Sequence, residues 1–303
     1  MAVKTVWAII NSVTTTLTLN SSTNKWEATV TAPSTSSYNN NDGHYYPVTI
    51  KATDEAGNVT TKNDTDATLG SSLQLRVKEK TAPVITITYP SASALITNNK
   101  PAIAWKVTDN DSGVNSGSIK ITIDSGSAIT AGITKTAITG GYQCSYTPTT
   151  ALADGSHTIK IDASDNDGNA ASQKSVTFKI DTVPPTLNVT APAAGLITNK
   201  AACTVTGTTN DITSSPVTVT IKLNSGTAEN VPVGSDGSFS KALTLASGSN
   251  TITVVATDSA GKSTTVTRTV TLDTVAPTIK AVTLTPNPVD AGKTYVISVE
   301  VTD

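Results

Sequence analysis

The phrase Ala52-Thr53-Asp54-Glu55-Ala56-Gly57-Asn58 returns as Ala163-Ser164-Asp165-Asn166-Asp167-Gly168-Asn169 and again as Ala256-Thr257-Asp258-Ser259-Ala260-Gly261-Lys262. Each copy ends a run in which every second residue is apolar: Val48, Ile50, Ala52; Ile159, Ile161, Ala163; Ile252, Val254, Ala256. That period puts one face of a strand against a core and the other in water, and a Gly-bearing polar turn then reverses the chain into a hairpin. A chain that repeats this unit is a tandem array of β-domains.

The spacing of the copies fits units of roughly 90 to 100 residues, the size of a small sandwich domain. Only 4% of the residues are aromatic and 15% charged. Thr, Ser, Val and Ile dominate, which suits pleated sheets and supplies few helix formers, so no helix is expected. A formal charge of −2 with Lys and Arg scattered singly leaves no basic stripe for phosphates or anionic membranes. No apolar run approaches the roughly 20 residues that cross a bilayer, so membrane insertion is not expected. The first residues carry no basic segment followed by an apolar stretch and a small-residue cleavage site, so export by the usual signal is not expected either. Cys144 and Cys203 fall in different repeats on alternating strands and read as small buried hydrophobes rather than a disulfide.

Proline-bearing joints recur at Lys80-Thr81-Ala82-Pro83, Asp181-Thr182-Val183-Pro184-Pro185 and Asp273-Thr274-Val275-Ala276-Pro277. Such short joints, with φ fixed by proline, hold neighbours in a semi-rigid line, so a rod is expected. Beyond each joint lie alternating runs (Ile85, Ile87, Tyr89; Ile103, Trp105, Val107; Ile119, Ile121, Ile123), and a polar turn launches an aromatic-led strand at Trp26, Tyr142 and Phe239. About seven strands per unit is the pattern of a β-sandwich. The Asp-Thr-Val-Ala/Pro-Pro joints and the Ala-Thr/Ser-Asp-x-x-Gly-Asn turn resemble those of bacterial immunoglobulin-like repeats, over nearly the whole chain. The resemblance implies an all-β fold of tandem immunoglobulin-like sandwiches. It leaves function open between spacers in bacterial adhesins and appendages on phage tails and capsids.

The two ends do not match the middle. From joint proline to aromatic-led strand, 59 residues separate Pro83 from Tyr142 and 54 separate Pro185 from Phe239, whereas 25 residues precede Trp26. That leaves room for strands at 3–10 and 13–19 but not for the two that open the other units. The 26 residues after Pro277 spell two such strands, 279–284 and 295–301, and Val301-Thr302-Asp303 repeats Val107-Thr108-Asp109. The expected division is therefore an incomplete immunoglobulin-like domain at 1–80, whole domains at 81–182 and 183–275, and a two-strand tail at 276–303. The tail's Ile279, Val282, Leu284, Tyr295, Ile297, Val299 and Val301 are the expected assembly residues, supplied to residues 1–80 of a neighbouring copy by strand complementation, head to tail. A boundary inside a fourth domain, or docking of the tail on its own third domain or on another protein, are the alternatives.

Candidate chemistry is sparse. Asp109-Asn110-Asp111-Ser112-Gly113 and Asp165-Asn166-Asp167-Gly168-Asn169 resemble the acidic start of a calcium loop, which makes Asp109, Asp111, Asp165 and Asp167 calcium candidates. Neither has the closing bidentate Glu, and Asp258-Ser259-Ala260-Gly261 lacks the second acid, so the same residues read first as Asx-turns and no cofactor is expected. Tyr46, His157 and Asn250 each stand eight residues before a turn Asp, as in the tyrosine corner of immunoglobulin-like sandwiches, which gives His157 a structural role. The aromatic and amide-rich residues 34–47, with Tyr38, His44 and Tyr45, are a candidate contact for cell-surface carbohydrate. No nucleophile set, paired-carboxylate motif or phosphate loop supports catalysis, and none is expected. The leading expectation is a structural part of a phage virion, in tail or baseplate and made in the host cytoplasm, bonded to itself or to other virion proteins. A bacterial cell-surface adhesin stalk and a carbohydrate-binding spacer are the alternatives.

Overall fold

A computed structural model describes residues 2–303 and divides into two compact units, the first ending at Ile180 and the second beginning at Asp181. Strands carry both units. The departure from the helix-free expectation is one 3-10 turn at Gly70–Leu73, which buries Leu73.

The first unit begins with a single sheet in the order Lys25–Glu27, Val13–Asn20, Val3–Ile10, Tyr46–Asp54, Val59–Lys62, with Gln74–Leu75 pairing beside Tyr46. Alternation sets its faces: Val6 lies opposite Ala52, Ala8 opposite Ile50 and Ile10 opposite Val48, so these six share one side. The second half of the unit has two facing sheets. One runs Lys120–Ile123, Gly155–Asp162, Lys174–Ile180, Leu95–Ile96; the other runs Thr134–Ile138, Gly141–Tyr146, Ile103–Thr108, Val84–Tyr89. Between them Ile103, Trp105, Val107 and Cys144 meet Ile121, Ile159, Ile161 and Phe178, all fully buried.

The second unit repeats this sandwich. Thr186–Ala191, Ala202–Asn210 and Ser238–Thr244 face a sheet ordered Leu196–Thr198, Ser263–Leu272, Gly248–Thr257, Thr218–Leu223, Glu229–Val231. Val205, Val219, Ile252, Val254 and Val270 form its core. After it, Thr278–Thr285 and Val296–Thr302 make a two-stranded antiparallel hairpin with no further strand paired to it among the described residues.

Cys144 and Cys203 are free thiols in separate cores, and burial pushes the Cys144 thiol up to about 11 against the opposing charge of Lys135. The corner residues bond back to the chain as expected. Tyr46 Oη meets Thr35 Oγ1 at 2.7 Å, His157 Nε2 meets the Ala153 carbonyl at 2.7 Å, and Asn250 Nδ2 donates to the Ala246 carbonyl at 2.7 Å.

Candidate assembly and cation sites

The tail hairpin carries an apolar face that its own fold leaves open. Cross-strand pairing sets Ile279 opposite Val301, Val282 opposite Val299 and Leu284 opposite Ile297, while Ala281 with Glu300 and Thr283 with Ser298 occupy the other side. Directly opposed residues in an antiparallel pair project to the same face, so these six side chains form one stripe. Ile279 is 65% exposed and Val301 52%, with Tyr295 also exposed beside the second strand. The first hairpin of the second domain has the same antiparallel plan, with Ile85 opposite Val107 and Ile87 opposite Trp105. There Ile85 is 3% exposed and Val107 0%, because the strand Gly141–Tyr146 pairs alongside and a second sheet covers the face.

The N-terminal sheet ends in an open edge. Lys25–Glu27, led by Trp26, pairs on one side with Val13–Asn20 and ends the sheet on the other. The corresponding aromatic-led strand, Gly141–Tyr146, has a strand on both sides, Thr134–Ile138 and Ile103–Thr108. An edge of unpaired backbone groups is a template for adding a strand.

The turns that define the repeat are built alike. Asp54 Oδ1 accepts the Asn58 N–H at 2.9 Å, Asp165 Oδ1 the Asn169 N–H at 2.8 Å, and Asp258 Oδ1 the Lys262 N–H at 2.8 Å. In the first two the side-chain amide of Asn58 or Asn169 also donates to the second oxygen of the same Asp, at 2.9 and 2.7 Å. Lys262 replaces that Asn in the third turn, and Asp258 Oδ2 is left buried with no partner.

Two of these turn carboxylates sit in acidic groups. Asp165 lies with Glu79 and Asp109, and Asp258 with Asp181 and Asp211; within each group one carboxylate oxygen from every member lies within 4.8 Å of the others. Asp109 Oδ1 accepts from the N–H groups of Asp111 and Gly113, and Asp211 Oδ1 from those of Thr213 and Ser214. Of the four calcium candidates, Asp109 and Asp165 are thus brought together. Asp111 and Asp167 stay outside that group. Asp111 Oδ1 accepts the Ser36 N–H at 2.8 Å and Asp167 Oδ2 accepts the Glu79 N–H at 3.0 Å, so both tie the N-terminal domain to the second. Glu79 and the whole Asp181, Asp211, Asp258 group escaped sequence reading, because their members are dispersed in the chain. Their common signal is position: Glu79 and Asp181 each stand four residues before a joint proline, and Asp109 and Asp211 each follow the third strand of a domain.

The three candidate carbohydrate contacts are engaged within the loop. The Tyr38 and His44 rings stack at 3.9 Å, and His44 Nδ1 meets the Tyr38 carbonyl at 2.5 Å. Tyr45 Oη donates to Asp64 at 3.0 Å, and that hydrogen bond, with burial and the Asp64 charge behind it, raises the phenol above its usual range. Asn39 Nδ2 reaches the Asp111 carbonyl, so residues 34–47 pack on the second domain through polar contacts.

The architecture defines a tandem array of immunoglobulin-like sandwiches. Residues 84–182 match the family described as bacterial Ig-like domain, and residues 185–274 match glucodextranase domain B. The two matches give the chain immunoglobulin-like repeats over those residues. No curated protein sequence matches it. Among solved structures, the fibronectin(III)-like modules of Clostridium thermocellum CbhA are 19% identical, covering 63% of this chain and 94% of that one with a TM-score of 0.34. Sidekick-1 immunoglobulin domains 1-4 are 11% identical, covering 89% of this chain and 68% of that one with a TM-score of 0.40. The D00-D0 domain of intimin is 14% identical, covering 63% and 100% with a TM-score of 0.31. Domains of this class serve structural and adhesive roles and are typically not catalysts.

Proposed function

We propose that this chain is a non-enzymatic structural and assembly protein of a phage tail or baseplate, whose copies join head to tail by strand complementation. The tail hairpin of one copy adds to the N-terminal sheet of the next, supplying the first two strands of a sandwich. The observation that carries this reading is the uncovered stripe Ile279, Val282, Leu284, Ile297, Val299, Val301 on a hairpin whose counterpart in the second domain buries Ile85, Ile103, Trp105 and Val107. Covering each such side chain is worth about 1.5–3 kcal/mol before the entropy of association is subtracted. The contact is heterologous, so its angle decides between a ring and a filament. Chains that lend strands to copies of themselves suit a particle of repeated subunits better than a stalk that is continuous along one chain.

Light scattering coupled to size-exclusion chromatography tests the joint. The full chain is expected to form concentration-dependent oligomers, and residues 1–275 alone to remain monomeric. Monomers in both samples, or equal oligomers in both, overturn it. Antibody labelling of native particles, read by electron microscopy, tests the location: label on tails or baseplates is expected, and label on bacterial cells replaces the virion with an adhesin stalk.

A further inference from the structure

We propose that residues 28–31 are the receiving edge of the joint. In the single chain they lead into a strap over the N-terminal sheet, and they straighten into strand beside Val296–Thr302 of a second copy. This deepens the assembly reading and rests on it.

The first argument is a strand cut short. Trp26, Ala28 and Val30 alternate with polar Glu27, Thr29 and Thr31, as Tyr142, Cys144 and Tyr146 alternate with Gln143 and Ser145. That period, with β-branched residues at 29–31 and no glycine or proline before Pro33, encodes a strand of about seven residues. Gly141–Tyr146 has six residues and Ser238–Thr244 seven, but Lys25–Glu27 has three. The neighbours differ. Every residue of Gly141–Tyr146 lies opposite one of Ile103–Thr108, and every residue of Ser238–Thr244 opposite one of 202–208, whereas Lys25–Glu27 has only 18–20. Local sequence permits the longer strand, and a missing partner ends it.

The second is what these residues do instead. Residues 28–34 make no hydrogen bond among the described residues, and 28–32 are exposed, so their backbone groups face water unpaired. Residues 30–34 stand across Ile10, Val13 and Thr15 with a cavity of about 340 Å³ between them. Ile10 and Val13 lie opposite each other on the face that also holds Val6 and Ala8. Val13 is 60% exposed and Val30 43%, so the strap covers that face loosely. A segment with few apolar contacts and no hydrogen bonds opens at little cost, and exposed strand-forming backbone is a template for another strand.

The third is length and register. In the second domain Tyr142 lies opposite Val107, Cys144 opposite Trp105 and Tyr146 opposite Ile103. Trp26 leads its strand as Tyr142 does, and Val301-Thr302-Asp303 repeats Val107-Thr108-Asp109. The same ladder sets Ala28 opposite Val299 and Val30 opposite Ile297, two members of the uncovered stripe, and Glu27 opposite Glu300 on the other face. Val296–Thr302 has seven residues, and Lys25–Glu27 accounts for three of them. The rest, 296–299, fall to residues 28–31.

Hydrogen exchange of the full chain, read on a peptide covering 28–31 at concentrations below and above self-association, tests the strap. Protection there is expected to rise about tenfold or more on joining. Successive N–H groups of a strand point to opposite edges, so of Ala28→Pro and Thr29→Pro, made separately, one removes a bond to the donor strand. That variant is expected to weaken the joint about tenfold or more while the monomer's melting temperature stays unchanged, since the single chain has no hydrogen bond there to lose. Glu300→Lys is expected to tighten the joint by setting opposite charges across it, and adding Glu27→Lys to undo the gain. Oligomers in which 28–31 exchange as fast as in monomers, or whose dissociation constant neither proline shifts, overturn this inference and leave the assembly reading standing. A full chain that stays monomeric overturns both, and protection of 28–31 in such monomers gives the edge to the chain's own hairpin.

Discussion

The N-terminal sheet and the second domain use the same strand for opposite ends. Val48, Ile50 and Ala52 stand six, four and two residues before Asp54, as Ile159, Ile161 and Ala163 stand before Asp165. Ile159 and Ile161 are fully buried, yet Val48, Ile50 and Ala52 are only half-buried. Their immediate surroundings match, since Ile50 lies opposite Ala8 and Ile161 opposite Ile121 on a neighbouring strand. The difference is the layer above. The second domain lays Val84–Tyr89 and Ile103–Thr108 over its strand, whereas the N-terminal strands pair in a single sheet. Alternation therefore states which face needs a cover; it does not state which molecule provides it.

The largest effect that tests this contrast is a cavity. Ile161→Ala removes a fully buried side chain from a closed sandwich and is expected to destabilise the second domain by about 2–5 kcal/mol. In a monomeric sample Ile50→Ala is expected to cost only about 1 kcal/mol, because a half-buried side chain leaves no closed cavity behind. Hydrogen exchange of the amides in Gly155–Asp162 and Tyr46–Asp54 reads the two domains separately. Equal losses would break the comparison, while an Ile50→Ala loss that grows as the chain oligomerises would sharpen it.

Next is a covalent trap for the joint. In the second domain Tyr142 pairs with Val107, and Trp26 and Val301 hold the same places in the two partial domains. Mixing a Trp26→Cys chain with a Val301→Cys chain under mild oxidation is expected to give mixed disulfide dimers in high yield. Cys144 and Cys203 are buried and do not compete. Thr283→Cys, on the hairpin's other face, is the control, and a yield no higher than the control's rejects this register.

Local pattern makes the strands and the repeated turns legible in the sequence. Polar-apolar alternation and turn chemistry are short-range properties, and Val3–Ile10 and Val13–Asn20 lie almost where they are expected. The acidic groups were less legible, since Asp181, Asp211 and Asp258 meet only when three loops of one domain fold together. Adjacency in sequence also misled: Asp111 and Asp167, each two residues from an Asp of the group, turn instead to backbone N–H groups of Ser36 and Glu79. The Tyr38 and His44 pair was visible as composition, but its self-stacking depends on His44 adopting φ of 59° inside the loop.

The smallest effect contrasts the three corners. Tyr46 and Asn250 hold their loops with a phenol and an amide, whereas His157 uses an imidazole, which can titrate near pH 7. Burial opposes its protonation, but the Ala153 carbonyl and the Asp124 carboxylate, 2.8 Å from Nδ1, outweigh it and raise the imidazole's pKa above its usual value. A group whose pKa is higher in the folded than in the unfolded chain adds stability that is complete below the unfolded value and disappears as pH climbs through the folded one. The second domain should therefore lose a little stability as pH rises from about 6 past the folded pKa, with the third domain unchanged through its Asn250 corner. His157→Asn, which copies that corner, is expected to flatten the dependence. A second domain whose hydrogen exchange, corrected for intrinsic rate, ignores pH in the unsubstituted chain would show that the Asp124 contact is equally strong with the neutral ring, leaving the three corners energetically alike.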